Sequence, residues 1–297
     1  SFPLSFGDGD NAANNLFYSR RIGRTPQLEV ETIDNEFVKM PSNTPILGAA
    51  KVTGRTHGGM SLGFLESLTA NTYALIDSLG KEKTFLVEPL TNYSVGTLKQ
   101  EFNNGNTIVS GLITSTNRHL NEDAANYLHK NAYSGGVDIQ HNWKDKKYQI
   151  SGKFYASRVE GSTEAILLTQ ESPARYLQRP DRRYATVDSS RTALNGTGGV
   201  FNFGKFGKGH LRYMAMVSWT TPLLEINDIG FIQNVDDIFQ AFWVGLRYWE
   251  PKGIFKNVDV NFNQWSGWNF DGQSTYKGGN VNLRSEEHTS ELQSRFG

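Results

Sequence analysis

Tyr133-Ser134-Gly135-Gly136-Val137-Asp138-Ile139-Gln140-His141-Asn142-Trp143, then Lys144-Asp145-Lys146-Lys147, then Tyr148-Gln149-Ile150-Ser151-Gly152-Lys153-Phe154-Tyr155-Ala156-Ser157 is the stretch that decides the fold. Before the turn, Tyr133, Gly135, Val137, Ile139, His141 and Trp143 alternate with Ser134, Gly136, Asp138, Gln140 and Asn142. After it, Tyr148, Ile150, Gly152, Phe154 and Ala156 alternate with Gln149, Ser151, Lys153, Tyr155 and Ser157. A period of two means strands with one dry and one wet face. Four turn residues between them make a hairpin.

Outward from this hairpin the pattern repeats. Val258, Val260 and Phe262 alternate with Asn257, Asp259, Asn261 and Asn263. Leu211, Tyr213, Ala215, Val217 and Trp219 share one face, as do Phe242, Val244, Leu246 and Tyr248. The hairpin around Asn103-Asn104-Gly105-Asn106 is less regular, because Ile108-Val109 and Leu112-Ile113 put apolar residues on both faces. Ten strands are expected, over 46–55, 60–69, 92–102, 107–117, 132–143, 148–158, 196–205, 210–220, 238–249 and 256–270. Their connections alternate between tight turns and long loops, the longest running from Val159 to Asn195. Short turns on one rim and long loops on the other are the pattern of an outer-membrane β-barrel. A ten-residue strand rising about 3.3 Å per residue and tilted by about 45° covers roughly the 25 Å apolar band of such a barrel. Trp143, Trp219 and Trp249 stand near strand ends, where aromatic girdles lie. Soluble sandwich strands are shorter, nearer six residues. The expected fold is therefore all-β, an antiparallel up-and-down meander of about ten strands forming part of an outer-membrane β-barrel. Within the long loops, Glu122 to Lys130 reads as a short helix capped by Asn121, and Thr163 to Gln170 as another ending before Pro173.

Composition agrees. Of 297 residues, 37% are hydrophobic, with 18 Phe, 12 Tyr and 30 Gly. Such modest hydrophobicity suits a barrel, in which only every second residue need be apolar. Net charge is zero, and no basic run points to nucleic acid. There is no cysteine, which excludes disulfides and thiolate metal sites. No run of about 18 apolar residues is present to make a transmembrane helix. The chain opens at Ser1 without a signal peptide, so a fragment is expected. Arg284-Ser285-Glu286-Glu287-His288-Thr289-Ser290-Glu291-Leu292-Gln293-Ser294 resembles an in-frame translation of a sequencing adapter. The expected division is an N-terminal segment (1–45), a truncated barrel domain (46–283) and an artefactual tail (284–297).

Candidate sites are few. Arg20, Arg21 and Arg24 precede the first strand, where guanidinium forks could bind anionic or sugar ligands or pair with carboxylates at the barrel mouth. The 159–195 loop holds Arg175, Arg179, Arg182, Arg183 and Arg191 beside Glu171, Asp181 and Asp188, either a charge ring setting pore selectivity or ordinary surface charge. Glu225 with Asp228, and Asp236 with Asp237, have the composition of glycosidase carboxylate pairs, but solvated loop or calcium-binding readings weigh more. Tyr155, Trp265 and Trp268 are read as sugar-stacking or packing residues. The histidines before the tail (His57, His119, His129, His141, His210) lack metal-site spacing. No serine elbow or phosphate-binding glycine loop occurs. No catalytic residue, metal ligand or cofactor is assigned.

Several segments carry a family resemblance. They are 17–24 (FYSRRIGR), 44–56 (TPILGAAKVTGRT), 89–93 (PLTNY), 102–107 (FNNGNT), 178–181 (QRPD) and 225–230 (EINDIG). In this order they resemble the bacterial envelope proteins grouped as domain of unknown function 5916, from about Ser1 to Phe270. The resemblance implies an outer-membrane barrel. It also implies carbohydrate handling, because fuller members carry a family-nine-like carbohydrate-binding domain that this chain lacks. The reading is thus a channel, uptake or surface component in the outer membrane of a gram-negative bacterium. Its partners would be the lipid bilayer and a carbohydrate, with no nucleic acid; the oligomeric state is open. The alternatives are an envelope glycoside hydrolase and a soluble carbohydrate-binding β-protein.

Overall fold

The structure, a computed structural model, describes residues 15–180, 183–248 and 255–287. After a 3-10 turn at Ser19–Arg21 come β1 (Glu36–Lys39), β2 (Ile46–Arg55), β3 (Met60–Thr69), β4 (Thr72–Ser78), β5 (Lys81–Glu88), β6 (Thr91–Phe102) and β7 (Thr107–Arg118). Then follow α1 (Glu122–Ala125), β8 (Asn131–Trp143), β9 (Tyr148–Glu160), α2 (Thr163–Glu171) and β10 (Ala193–Lys205). The chain continues through β11 (Leu211–Thr220), β12 (Asp237–Tyr248), β13 (Phe255–Trp268) and β14 (Ser274–Glu287). Eleven strands form one antiparallel sheet in the order β14-β13-β12-β11-β10-β9-β8-β7-β6-β3-β2, and β1-β4-β5 form a second, small sheet. Among the described residues β2 and β14 do not pair, so the large sheet is open.

The ten expected strands correspond to β2, β3 and β6 to β13. Strands β1, β4, β5 and β14 were not foreseen. The hairpin β4–β5 occupies the connection between β3 and β6, which pair directly across it. Strand β14 runs through Arg284, which lies opposite Asp259. Helix α1 is shorter than expected, but Asn121 caps it: its Oδ1 accepts the Ala124 N–H at 2.9 Å. Ser162 caps α2 in the same way, accepting Ala165 N–H at 3.1 Å. The ninth connection, 249–254, lies outside the described residues. The tenth, 269–273, is short although it lies on the long-loop rim, and Asn269 Oδ1 closes it by accepting the Asp271 and Gln273 N–H groups.

Strand register sorts the side chains into two faces. On one, every strand of the large sheet presents an apolar side chain: Val52, Phe64, Leu98, Ile113, Val137, Phe154, Phe201, Val217, Phe242, Phe262 and Val281. All are between 36% and 69% exposed. They are in register, since Val52 lies opposite Phe64, Val137 opposite Phe154, Phe201 opposite Val217 and Phe262 opposite Val281. The small sheet does not cover this belt. It packs instead against Leu28, Ala124 and Leu128 beside α1.

The bare belt has distinct borders. Toward the short turns lies an aromatic row on the same face: His141 on Trp143 (5.8 Å between centroids), Trp143 on Tyr148 (5.5 Å) and on Phe203 (6.3 Å), and Phe203 against Tyr213 (6.1 Å). Toward the long loops lies a hydrogen-bonded polar row. Ser115 donates to Asn117 (2.7 Å), Asn117 to Asn131 (2.9 Å) and to Tyr133 Oη (3.1 Å), and Arg158 to Glu160 (2.6 Å) and Asn195 (3.1 Å). In β8 the borders are Tyr133 and Trp143. Ten residues at about 3.4 Å each, tilted by about 45°, separate them by roughly 24 Å of height.

Candidate functional site

On the opposite face, the connection between β11 and β12, residues 221–236, packs over the middle strands of the sheet. Leu224, Ile226, Ile229, Ile232 and Val235 form a buried cluster with Leu16 and with Tyr93, Val95, Leu112 and Tyr155, which project from β6, β7 and β9. Each such aliphatic side chain, fully buried, contributes about 1.5–3 kcal/mol. That offsets a backbone ordering cost of about 1–2 kcal/mol per residue. Contact is close enough to require glycine: a Cβ on Gly196 would sit 2.2 Å from the Leu224 Cα, and one on Gly198 2.4 Å from the Tyr155 ring. This explains the irregular β6–β7 hairpin, where Ile113 lies in the bare belt while Leu112 packs under residues 221–236. It also assigns Tyr155 to packing, in place of sugar stacking.

Two buried ion pairs fix the segment. Arg118, the last residue of β7, reaches Asp228 with Nη1 2.5 Å from Oδ1 and also donates to the His129 carbonyl at 3.0 Å. Arg175, just beyond α2, pairs with Glu225 at 2.7 Å and donates to the Leu224 carbonyl. The four side chains are 1–7% exposed. His129 completes the first cluster. Its Nδ1 lies 2.9 Å from Asp228 Oδ2, and its Nε2 lies 2.8 Å from Thr169 Oγ1, whose own proton goes to the Ala165 carbonyl at 2.9 Å. Both ring nitrogens are therefore placed to donate. Burial alone would raise the Asp228 carboxyl, but the His129 and Arg118 charges beside it outweigh burial and hold it well below the usual carboxylate range.

Further contacts close the segment at both ends. Ser157 Oγ accepts Glu225 N–H at 3.0 Å, and Asn227 N–H donates to Glu225 Oε1 at 2.6 Å. Phe231 and Asn15 form a two-bond antiparallel bridge. Asp236 is buried, bonded to the Tyr184 hydroxyl and accepting Phe270 N–H at 3.1 Å.

The solvated or calcium-binding reading of Glu225, Asp228 and Asp236 is thus corrected. They are buried, and arginines, a histidine, a tyrosine or backbone N–H groups occupy their oxygens. Among the described residues no group of three or more His, Asp or Glu is placed to hold a metal. Asp228 is held deprotonated, the reverse of what a general acid requires.

The other candidates separate. Arg21 ties the N-terminal segment to residues 221–236, donating to Gly230 O (3.0 Å) and Asn227 Oδ1 (3.1 Å). Arg20 is exposed. Arg24 lies close enough to Arg118 that burial and that charge lower its pKa. Its Nε is buried without a hydrogen-bond partner among the described residues. Arg179 is half-buried, its N–H donating to Tyr176 O at 3.4 Å. Arg191 pairs with Asp188 in its own loop at 3.2 Å. Asp181 and Arg182 lie outside the described residues. The pair partner Arg118 and the bridging Thr169 were not foreseen, because each meets its partner only through the fold. One signal was available: residues 223–232 (LLEINDIGFI) are far more apolar than a solvated loop.

No curated protein and no solved structure is similar to this sequence. The signature of the family described as Domain of unknown function (DUF5916) matches residues 11–296. With nearly the whole chain matched, the protein belongs to the DUF5916 family.

Proposed function

We propose that this chain forms the wall, and part of the internal filling, of a β-barrel in the outer membrane of a gram-negative bacterium. It would work as a channel, uptake or surface component through the shape and polarity of its interior. The observation that carries this reading is the bare apolar belt. All eleven strands of the large sheet contribute to it, it is bordered by an aromatic row and a polar row, and among the described residues no other element covers it. Water would penalise so large an uncovered apolar surface, whereas acyl chains would not. On this reading the short turns face the periplasm, and residues 221–236 fold inward as a constriction, leaving the lumen polar elsewhere. Arg247 paired with Asp259, Trp243 donating to Asn261 (3.0 Å) and Asn263 to Asn280 (2.7 Å) line the face of β12 to β14 opposite the belt.

Carbohydrate is the solute class we associate with this interior, on the family resemblance together with the amide-rich row of Asn261, Asn263, Asn280 and Asn282. The test is twofold. The protein extracted from membranes should run faster on a gel unheated than boiled, and liposomes containing it should swell in small sugars. Recovery in the soluble periplasm, with no mobility shift, would contradict the barrel; a shift without sugar flux would leave the barrel and remove the carbohydrate channel.

A further inference from the structure

Two of the short turns differ from the rest. The β8–β9 turn contains Lys144, Lys146 and Lys147, and the β10–β11 connection is flanked by Lys205 and contains Lys208. The two turns touch: the Phe206 and Gly207 N–H groups both donate to the Lys147 carbonyl, at 2.9 and 3.2 Å. Five ammonium groups therefore gather over two adjacent hairpins, in a chain whose net charge is zero. The acidic residue in these turns is Asp145 alone, and among the described residues none of the five lysines forms an ion pair. Lys144, Lys146 and Lys208 are exposed.

The patch adjoins the aromatic border of the belt. The Lys144 and Lys147 ammonium groups stand 5.6 and 5.7 Å from the centre of the Tyr148 ring. Tyr148 stacks in turn on Trp143. Aromatic side chains with lysines beyond them are what the boundary between acyl chains and headgroups accommodates.

The backbone sharpens the point. Lys144, Asp145 and Lys146 have φ of 50°, 57° and 60°. Asn103, Asn104 and Gly105 in the β6–β7 turn have nearly the same conformation, with φ of 51°, 54° and 79°. Asparagine and glycine adopt left-handed geometry at low cost, while lysine does so less readily. One turn geometry is thus built with neutral, tolerant residues in one hairpin and with lysines, against backbone preference, in its neighbour.

We infer that the touching β8–β9 and β10–β11 turns, with the Trp143–Tyr148 aromatic row, form a binding surface for anionic phospholipid headgroups in the leaflet that meets the short-turn rim. Lysine ammonium groups bind the lipid phosphates as compact charges, while Trp143 and Tyr148 hold the acyl–headgroup boundary. This rests on the membrane reading above.

The test reconstitutes the protein into bilayers of equal phosphatidylcholine and phosphatidylglycerol, confirms insertion by resistance to alkaline extraction, and measures the lipids retained after mild detergent extraction. The inserted protein should retain phosphatidylglycerol in excess by about threefold or more, less at high salt. The Lys144→Gln, Lys146→Gln, Lys208→Gln variant should insert equally well and lose most of that excess. Insertion without enrichment, or enrichment that survives the triple substitution, overturns this inference and leaves the membrane reading standing. Failure to insert overturns both.

Discussion

Arg118 and Asp228, 110 residues apart in sequence, meet in a buried ion pair that fastens the inward segment to the inner side of β7. A buried pair stripped of one partner leaves an uncompensated charge, which costs about 3–5 kcal/mol, whereas replacing both partners with apolar groups costs far less. Asp228→Asn or Arg118→Met alone should lower stability by roughly that amount in detergent unfolding. The double variant Arg118→Met, Asp228→Leu should recover most of the loss. Additive losses in this cycle would mean that the two residues are not coupled.

The same carboxyl sets an acid limit. Its pKa is depressed in the folded state, so its stabilisation is fully present above the unfolded value of about 3.9 and is lost as pH falls toward the folded one. Stability should be level near neutrality and decline below about pH 4. Asp228→Asn should flatten that decline while lowering the plateau. A variant with an unchanged acid profile would remove Asp228 as its source.

Gly196 tests the packing of the inward segment independently of charge. A methyl group there would meet the Leu224 backbone, which cannot rotate aside as a side chain would. Overpacking of this kind costs about 1–3 kcal/mol. Gly196→Ala should displace residues 221–236 and, in a bilayer, raise conductance. Gly48→Ala, where nothing lies within 4 Å, should change neither.

The belt predicts a face-dependent cost. Val137→Arg places a charge at the middle of the bare face and should lower folding stability in lipid by about 2–4 kcal/mol. Gln140→Arg, on the opposite face of the same strand, should cost less than about 1 kcal/mol in urea titrations of liposome-folded protein.

Much of the large sheet was legible because a period of two survives in most of its long strands, β8, β9, β11, β12 and β13 above all. Val137, Val217 and Phe242 were on their correct faces without any knowledge of partners. The small sheet was not legible, since β1 is only four residues long and β4–β5 reads as part of a long loop. Strand β14 escaped because its apolar residues, Val281 and Leu283, stand among Gly and Asn. The site was hidden for another reason. Glu225 and Asp228 look like surface acids until the fold brings Arg175 and Arg118 to them, and no local pattern encodes contacts over such separations. The apolar run from Leu223 to Ile232 was the readable clue that this loop turns inward.

The most direct measurement uses the absence of cysteine from the sequence. Single cysteines placed in turn at residues 137 to 141 of β8 would each carry a spin label in the membrane-reconstituted protein. Contact with oxygen, which partitions into lipid, would be compared with contact with a water-soluble relaxer. The account predicts strict alternation: labels at 137, 139 and 141 reach oxygen, and those at 138 and 140 do not. Uniform access to the aqueous relaxer at 137 and 139 would contradict a lipid-facing belt.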